Sequence, residues 1–194
     1  MMRIIVLAAI LSVVAACAQV APEPDRDVDD ALIQALLPPA SLGASLSLSQ
    51  LVSGEFGDQK YTFHAEVEVT PERMAVVGLS SMGVPLFTLE QDSREVKVEA
   101  LGGEIFPFNP RHILSDFQIA YWPEATLREK YQTVGLAVRD TPIQGAREIL
   151  TADGEVLVKV TYLSNGGSAG DIMIEHFDPP YRLHIKTFES SEVR

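Results

Sequence analysis

Cys17 is the only cysteine in the 194-residue chain, so its thiol is the one soft nucleophile available for covalent modification. It lies directly behind an apolar run, Ile4 to Ala16, which Arg3 precedes. A positive n-region followed by a short h-region is the layout of a secretory signal, and the run is too short to cross a bilayer. In this position Cys17 reads as a lipid attachment site. The alternatives are an ordinary signal peptide with an incidental cysteine, or a free thiol.

The other reactive side chains form no catalytic pattern. His64, His112, His176 and His184 are dispersed without metal-ligand spacing, and each reads as a surface or satisfied histidine. The chain has no Gly-x-Ser-x-Gly elbow and no phosphate-binding glycine loop. Glu66 with Glu68, and Lys97 with Glu99, share strand faces, as the charges of a solvated face do. The expectation is a protein that is not an enzyme, with no catalytic residue, no metal and no cofactor.

The elements that must position any site can be read along the chain. Hydrophobic residues make up 46% of it, enough for one domain with a sizeable core. The formal charge is −12, and removing a signal that carries Arg3 and no acid makes it −13, which disfavours nucleic acid and anionic headgroups as partners. If Cys17 carries lipid, no disulfide is possible. The expected division is a signal over 1–16, a Pro- and Asp-rich tether over 17–27, and a single domain over 28–194, acting as a monomer.

Val28, Ala31, Leu32, Ala35 and Leu36 recur at helical spacing, and Pro38-Pro39 closes that segment. From Leu46 the period becomes two. Tyr61, Phe63, Ala65, Val67 and Val69 alternate with polar residues, while Met74–Leu79 and Val84–Leu89 are apolar on both faces and must be covered twice. Turn signals at 54–57, 70–71, 81–83 and 91–93 join these strands into an antiparallel meander. Asn109-Pro110 then starts a helix with the apolar stripe Ile113, Leu114, Phe117, Ala120 and Tyr121, ended by Pro123; a second short helix runs over 125–131. Strands resume over 134–138, 146–150, 156–162, 172–177 and 181–188, with turns at 152–154, 165–170 and 178–180. The sum is an α+β chain, mainly antiparallel β, of about ten strands with a helical insert suited to plug a concave sheet.

The small pair Ala15-Ala16 before Cys17 resembles the lipobox of bacterial lipoproteins, in which the cysteine is lipidated and becomes the first mature residue. Ala18 rather than an aspartate follows it, and the resemblance implies export to the outer membrane of a Gram-negative cell, facing the periplasm. The run Leu114-Ser115-Asp116-Phe117-Gln118-Ile119-Ala120-Tyr121-Trp122-Pro123, with Leu79–Leu89 before it and Tyr181–Ile185 after it, resembles a family of proteobacterial outer-membrane lipoproteins of unknown function. Asp116, Gln118, Trp122 and Pro123 carry its signature.

That family is similar in turn to the lipoprotein-sorting proteins LolA, a periplasmic carrier, and LolB, an outer-membrane receptor. The resemblance implies an open, incomplete β-barrel of about ten to eleven strands, with a helical lid over a cavity for acyl chains. Genes of the family accompany aryl-polyene pathways, so the implied ligand is a lipid, a lipoprotein acyl chain or an aryl-polyene, with a periplasmic carrier protein as a possible donor. The alternative is an accessory envelope lipoprotein whose barrel is filled by its own side chains.

Expected lining residues are Met74, Val76, Leu79, Leu86, Phe87 and Leu89, facing Phe117 and Trp122; the same residues also suit a dry core. By order of elements, the receptor's membrane-contact loop corresponds to 53–60, where Phe56 either enters the membrane interface or folds back on the sheet. A buried Asp116 or Gln118 needs partners, either neighbouring backbone or a ligand. Arg147 is placed to pair with Asp116 or with a lipid headgroup.

Overall fold

The computed structural model describes residues 31–100, 109–141, 143, 145–163 and 170–193. Cys17, the signal, the tether, Val28 and the expected turn over 165–169 lie outside them. Ten strands form one antiparallel sheet: β1 Ser45–Phe56, β2 Gln59–Val69, β3 Met74–Leu79, β4 Pro85–Gln91, β5 Val96–Ala100, β6 Ala137–Thr141, β7 Ala146–Leu150, β8 Val156–Tyr162, β9 Asp171–Phe177 and β10 Pro180–Val193. Their order is β5-β4-β3-β2-β1-β10-β9-β8-β7-β6. Two five-strand meanders thus meet where β1 pairs with β10, and β5 and β6 remain unjoined edges, so the barrel is open.

Between the meanders come α1, Arg111–Tyr121, and α2, Glu124–Gln132. Eight residues of α1, His112 and Leu114–Ala120, are buried, so the mid-chain helical insert is packed into the core. Asn109 starts it, its Oδ1 accepting the Arg111 N–H at 3.1 Å. Residues 31–34 are helical, and Leu32 and Ala35 are fully buried in the same core. This N-terminal strap, continued by a 3₁₀ turn at Pro39–Leu42, covers the far end of α1.

Three boundaries differ from the sequence reading. The β1–β2 turn is Gly57-Asp58 alone: Phe56 pairs with Gln59, and Gly57 takes φ 56° at the first position of a two-residue hairpin. The expected loop over 53–60 is therefore almost wholly strand. Next, α2 runs on to Gln132 and closes with Gly135 at φ 78° and the Leu136 N–H on the Tyr131 carbonyl at 3.0 Å, which moves the start of β6 from 134 to Ala137. Finally, β10 continues beyond Phe188 to Val193 because the whole of β1 lies beside it.

Gly78 in β3 answers a close approach. A Cβ there would sit 2.0 Å from the ring of Phe87, which is itself 1% exposed. Gly78→Ala must push that ring out of its place in a close-packed core, so we expect a loss of about 1–3 kcal/mol. Chemical denaturation would check it; an unchanged midpoint would show that Phe87 can relocate without cost.

Candidate functional site

Three polar arrangements and one cavity meet on α1. The cavity, about 40 Å³, lies at the end of the sheet that carries the β1–β2 hairpin and the β9–β10 turn. Its wall is Val52, Gly54 and Phe56 of β1, Tyr61, Phe63, Ala65 and Val67 of β2, Val76 of β3, Leu183 and Ile185 of β10, and Ile113 and Phe117 of α1. Small side chains create the space: Gly54 and Ala65 stand on the inner face where neighbouring positions carry valine or phenylalanine. The other groups that line it are Gln50 and Asp116, and its surface is almost wholly apolar.

Of the eight residues expected to line a cavity, Val76 and Phe117 do. Met74, Phe87, Leu89 and Trp122 are buried in the surrounding core, away from that wall. Leu79 is paired with His64 on the outer face, and Leu86 is half-buried at the irregularity in the β3–β4 pairing. Period two shows which residues alternate, but in a strand apolar on both faces it does not say which face is inner.

Phe56 is also corrected. It is the last residue of β1, half-buried, and its ring stacks on Tyr181 with centroids 4.7 Å apart. With only two residues in the turn there is no projecting loop to carry it outward, so it walls the cavity instead.

Asp116 joins that cavity to a buried cluster that the sequence reading missed. Its Oδ1 is 2.6 Å from His176 Nε2, and its Oδ2 accepts the Tyr181 hydroxyl at 2.9 Å. The Tyr181 oxygen lies 2.7 Å from the same Nε2, and the two rings stack at 3.9 Å. Tyr181 spends its one proton on Asp116, so Nε2 must carry the hydrogen shared with both oxygens. His176 Nδ1 is buried and has no hydrogen-bond partner among the described residues. The His112 ring packs edge-on to that of His176 at 6.4 Å.

His112 and His176 are thus buried, whereas His64 and His184 stay on the outer face, half-buried. The signal was present: His176 continues the inward series Ile172, Ile174, and Tyr181 begins the series Leu183, Ile185. Among the described residues, no three His, Cys, Asp or Glu side chains are grouped to hold a metal ion.

Gln118 bolts α1 to the N-terminal strap. Its Oε1 accepts the Leu37 N–H at 2.7 Å, and its Nε2 donates to the Leu37 carbonyl at 2.9 Å and to Gln91 Oε1 at 2.9 Å. Gln91 Nε2 donates to the same carbonyl at 2.8 Å. A buried side-chain amide thereby pairs with a backbone amide 81 residues away, as a neighbouring strand would.

At the C-terminus of α1, Pro123 has no N–H for the Ile119 carbonyl, which the residue four positions on would otherwise bond. Arg147 supplies the donor. Its NH1 reaches the carbonyls of Ile119 at 2.7 Å and Trp122 at 2.8 Å, while Nε and NH2 grip Asp140 at 2.7 and 3.0 Å. Burial works against the guanidinium charge, but the Asp140 hydrogen bond and the Tyr162 and Asp140 charges outweigh it, so its pKa is raised. Arg147 therefore pairs with Asp140, not with Asp116. Tyr162 donates to the Ala120 carbonyl at 2.8 Å, and burial pushes its own hydroxyl pKa up. Trp122 Nε1 donates to Ser41 Oγ at 2.8 Å, tying the signature tryptophan to the strap.

A LolA superfamily protein of Nitrosomonas europaea is 9% identical, with 87% of this chain and 93% of that one covered and a TM-score of 0.44. A domain from Vibrio parahaemolyticus assigned as an outer membrane lipoprotein-sorting protein is 5% identical, with 77% and 85% covered and a TM-score of 0.39. No curated protein matches the sequence. The family model for DUF3261, described as a protein of unknown function, matches residues 47–189 and so takes in the cavity, the Asp116 cluster, Gln118 and Arg147: the chain belongs to the DUF3261 family.

Proposed function

We propose that this protein is a lipid-anchored, periplasm-facing module of the outer membrane that binds or transfers a hydrophobic acyl ligand, held between α1 and strands β1, β2 and β10. The observation that carries this reading is the cavity: an apolar space, walled by three aromatic rings of β1 and β2 and one of α1, left unfilled in an otherwise close-packed interior. Alkyl chains need little hydrogen bonding, and each methylene buried contributes about 0.8 kcal/mol. Cys17 supplies the anchor. The described helices are too short or too polar to cross a membrane, a statement that leaves strands aside.

At about 40 Å³ the cavity is far smaller than the several hundred Å³ of usual ligand sites, so uptake requires α1 and the β1–β2 hairpin to part. The same small volume favours a second reading, a filled barrel serving as an accessory protein through its outer surface.

Ala65→Leu separates the two. Filling about 40 Å³ of void recovers up to about 1 kcal/mol of stability in either case. If the space is a binding site, the variant should also lose labelling by a photoactivatable alkyl probe applied to envelopes containing the full chain, read as labelled peptide from 50–67. Labelling of that peptide at wild-type level would remove the cavity from function.

A further inference from the structure

The polar groups of the cavity wall carry information about the head of whatever enters. Gln50 is committed: its Nε2 donates to the Tyr121 hydroxyl at 2.7 Å and to Thr187 Oγ1 at 3.0 Å. The Tyr61 hydroxyl is committed to Gln59 on the outside. Asp116 is left, 3% exposed, with one acceptor position on Oδ1 used by His176 and one on Oδ2 used by Tyr181. A carboxylate accepts about four hydrogen bonds, so each oxygen keeps acceptor capacity.

Among the described residues, no cation lines the space. Arg147, the buried arginine nearest in the chain to α1, is held by Asp140 and two carbonyls at the opposite end of the helix. Even with both ring nitrogens of His176 protonated, the Asp116–His176 pair is neutral and offers no net positive charge to an incoming anion.

We infer that the cavity selects acyl chains whose head is uncharged and donates a hydrogen bond, such as the hydroxyl of a monoacylglycerol or the N–H of an N-acyl amide, over free fatty acids, with Asp116 setting the choice. A second carboxylate brought beside Asp116 in an apolar wall meets like charge and loses water without a counter-ion, so it binds poorly or must first take up a proton. A hydroxyl or amide N–H meets an open acceptor instead. The inference rests on the acyl-binding reading above and names the class of ligand for that same site.

The test uses the full chain in its own membranes and two photoactivatable probes of equal chain length, one a fatty acid and one its monoacylglycerol. Labelled peptide from 50–67 and 111–121 is measured for each. The glycerol ester should label wild type about tenfold more than the acid.

Asp116→Asn should raise the acid-to-ester labelling ratio several-fold, and a cooperative unfolding transition in denaturant shows that the variant is folded. Ile113→Arg leaves Asp116 in place and adds a cation at the half-buried edge of the wall, and it should shift the ratio toward the acid. Equal labelling of wild type by both probes, or an acid-to-ester ratio that neither variant moves, overturns the inference. Absence of labelling by either probe overturns the acyl-binding reading, and the inference with it.

Discussion

Arg147→Ala should cost about 3–5 kcal/mol and leave the domain unfolded or partly unfolded at physiological temperature. The magnitude follows from what the guanidinium holds. Its side chain is 9% exposed, it grips both oxygens of Asp140, and it closes the carbonyls of Ile119 and Trp122. Truncation strands one carboxylate, 26% exposed, and two carbonyls, and for that of Ile119 Pro123 has already removed the usual helical donor. Arg147→Lys keeps the charge but not the planar fork; one ammonium cannot face Asp140 bidentately and reach both carbonyls, so we expect an intermediate loss of about 1–3 kcal/mol. Urea unfolding of the three proteins orders them wild type, lysine, alanine. Equal stability of the lysine variant and wild type would mean that charge alone matters, and that the substitute donor for the proline is of no consequence.

That arginine also shows where the sequence stopped being legible. Its strand, the helix above it and the breaking proline could all be read from period and punctuation, because those signals are local. The partner could not. Asp140 lies seven residues away across the β6–β7 hairpin, and Asp116 looked equally eligible until the register Asp140↔Arg147 was known. The same holds for the pairing of β1 with β10, which joins Leu51 to Lys186 and turns two meanders into one sheet: nothing in either strand names the other.

The cavity was misdrawn for a related reason. Strands β3 and β4 advertise themselves by being apolar on both faces, yet the space lies mainly under β1 and β2, where Gly54 and Ala65 are small. Large apolar residues fill interiors, and vacancies occur where they are lacking. Asp116 and Gln118 were readable as buried polar groups in need of partners. What fixed their roles was the inward alternation of His176 and Tyr181 for the first and the return of the N-terminal strap for the second.

Gln118→Leu should release that strap. In wild type the amide satisfies the Leu37 N–H and shares the Leu37 carbonyl with Gln91, all buried. Leucine has similar bulk, so packing is largely kept, but a buried backbone N–H loses its acceptor and Gln91 Oε1 loses its donor. Each orphan costs about 1–3 kcal/mol, which gives an expected loss of about 2–5 kcal/mol. The asymmetry of buried polar pairs bears on the design of the control. Replacing Gln91 as well removes one orphan, so Gln118→Leu with Gln91→Leu should be no worse than the single variant by more than the cost of the remaining bond from Gln91 to Leu37.

The Leu37 N–H belongs to the backbone and cannot be mutated away, so no second substitution restores wild-type stability. The strap can meet the cost locally by lifting off, because beside this amide it is held by the Gln91 bond to the Leu37 carbonyl, the Trp122–Ser41 bond and the burial of Leu32, Ala35, Leu37 and Pro39. We therefore expect faster backbone hydrogen exchange over 31–42 in the variant, with β1, β2 and β10 protected as before. Uniform acceleration across the sheet would instead make Gln118 a global core contact, and the strap an integral layer of the fold rather than a separately releasable cover on the end of α1.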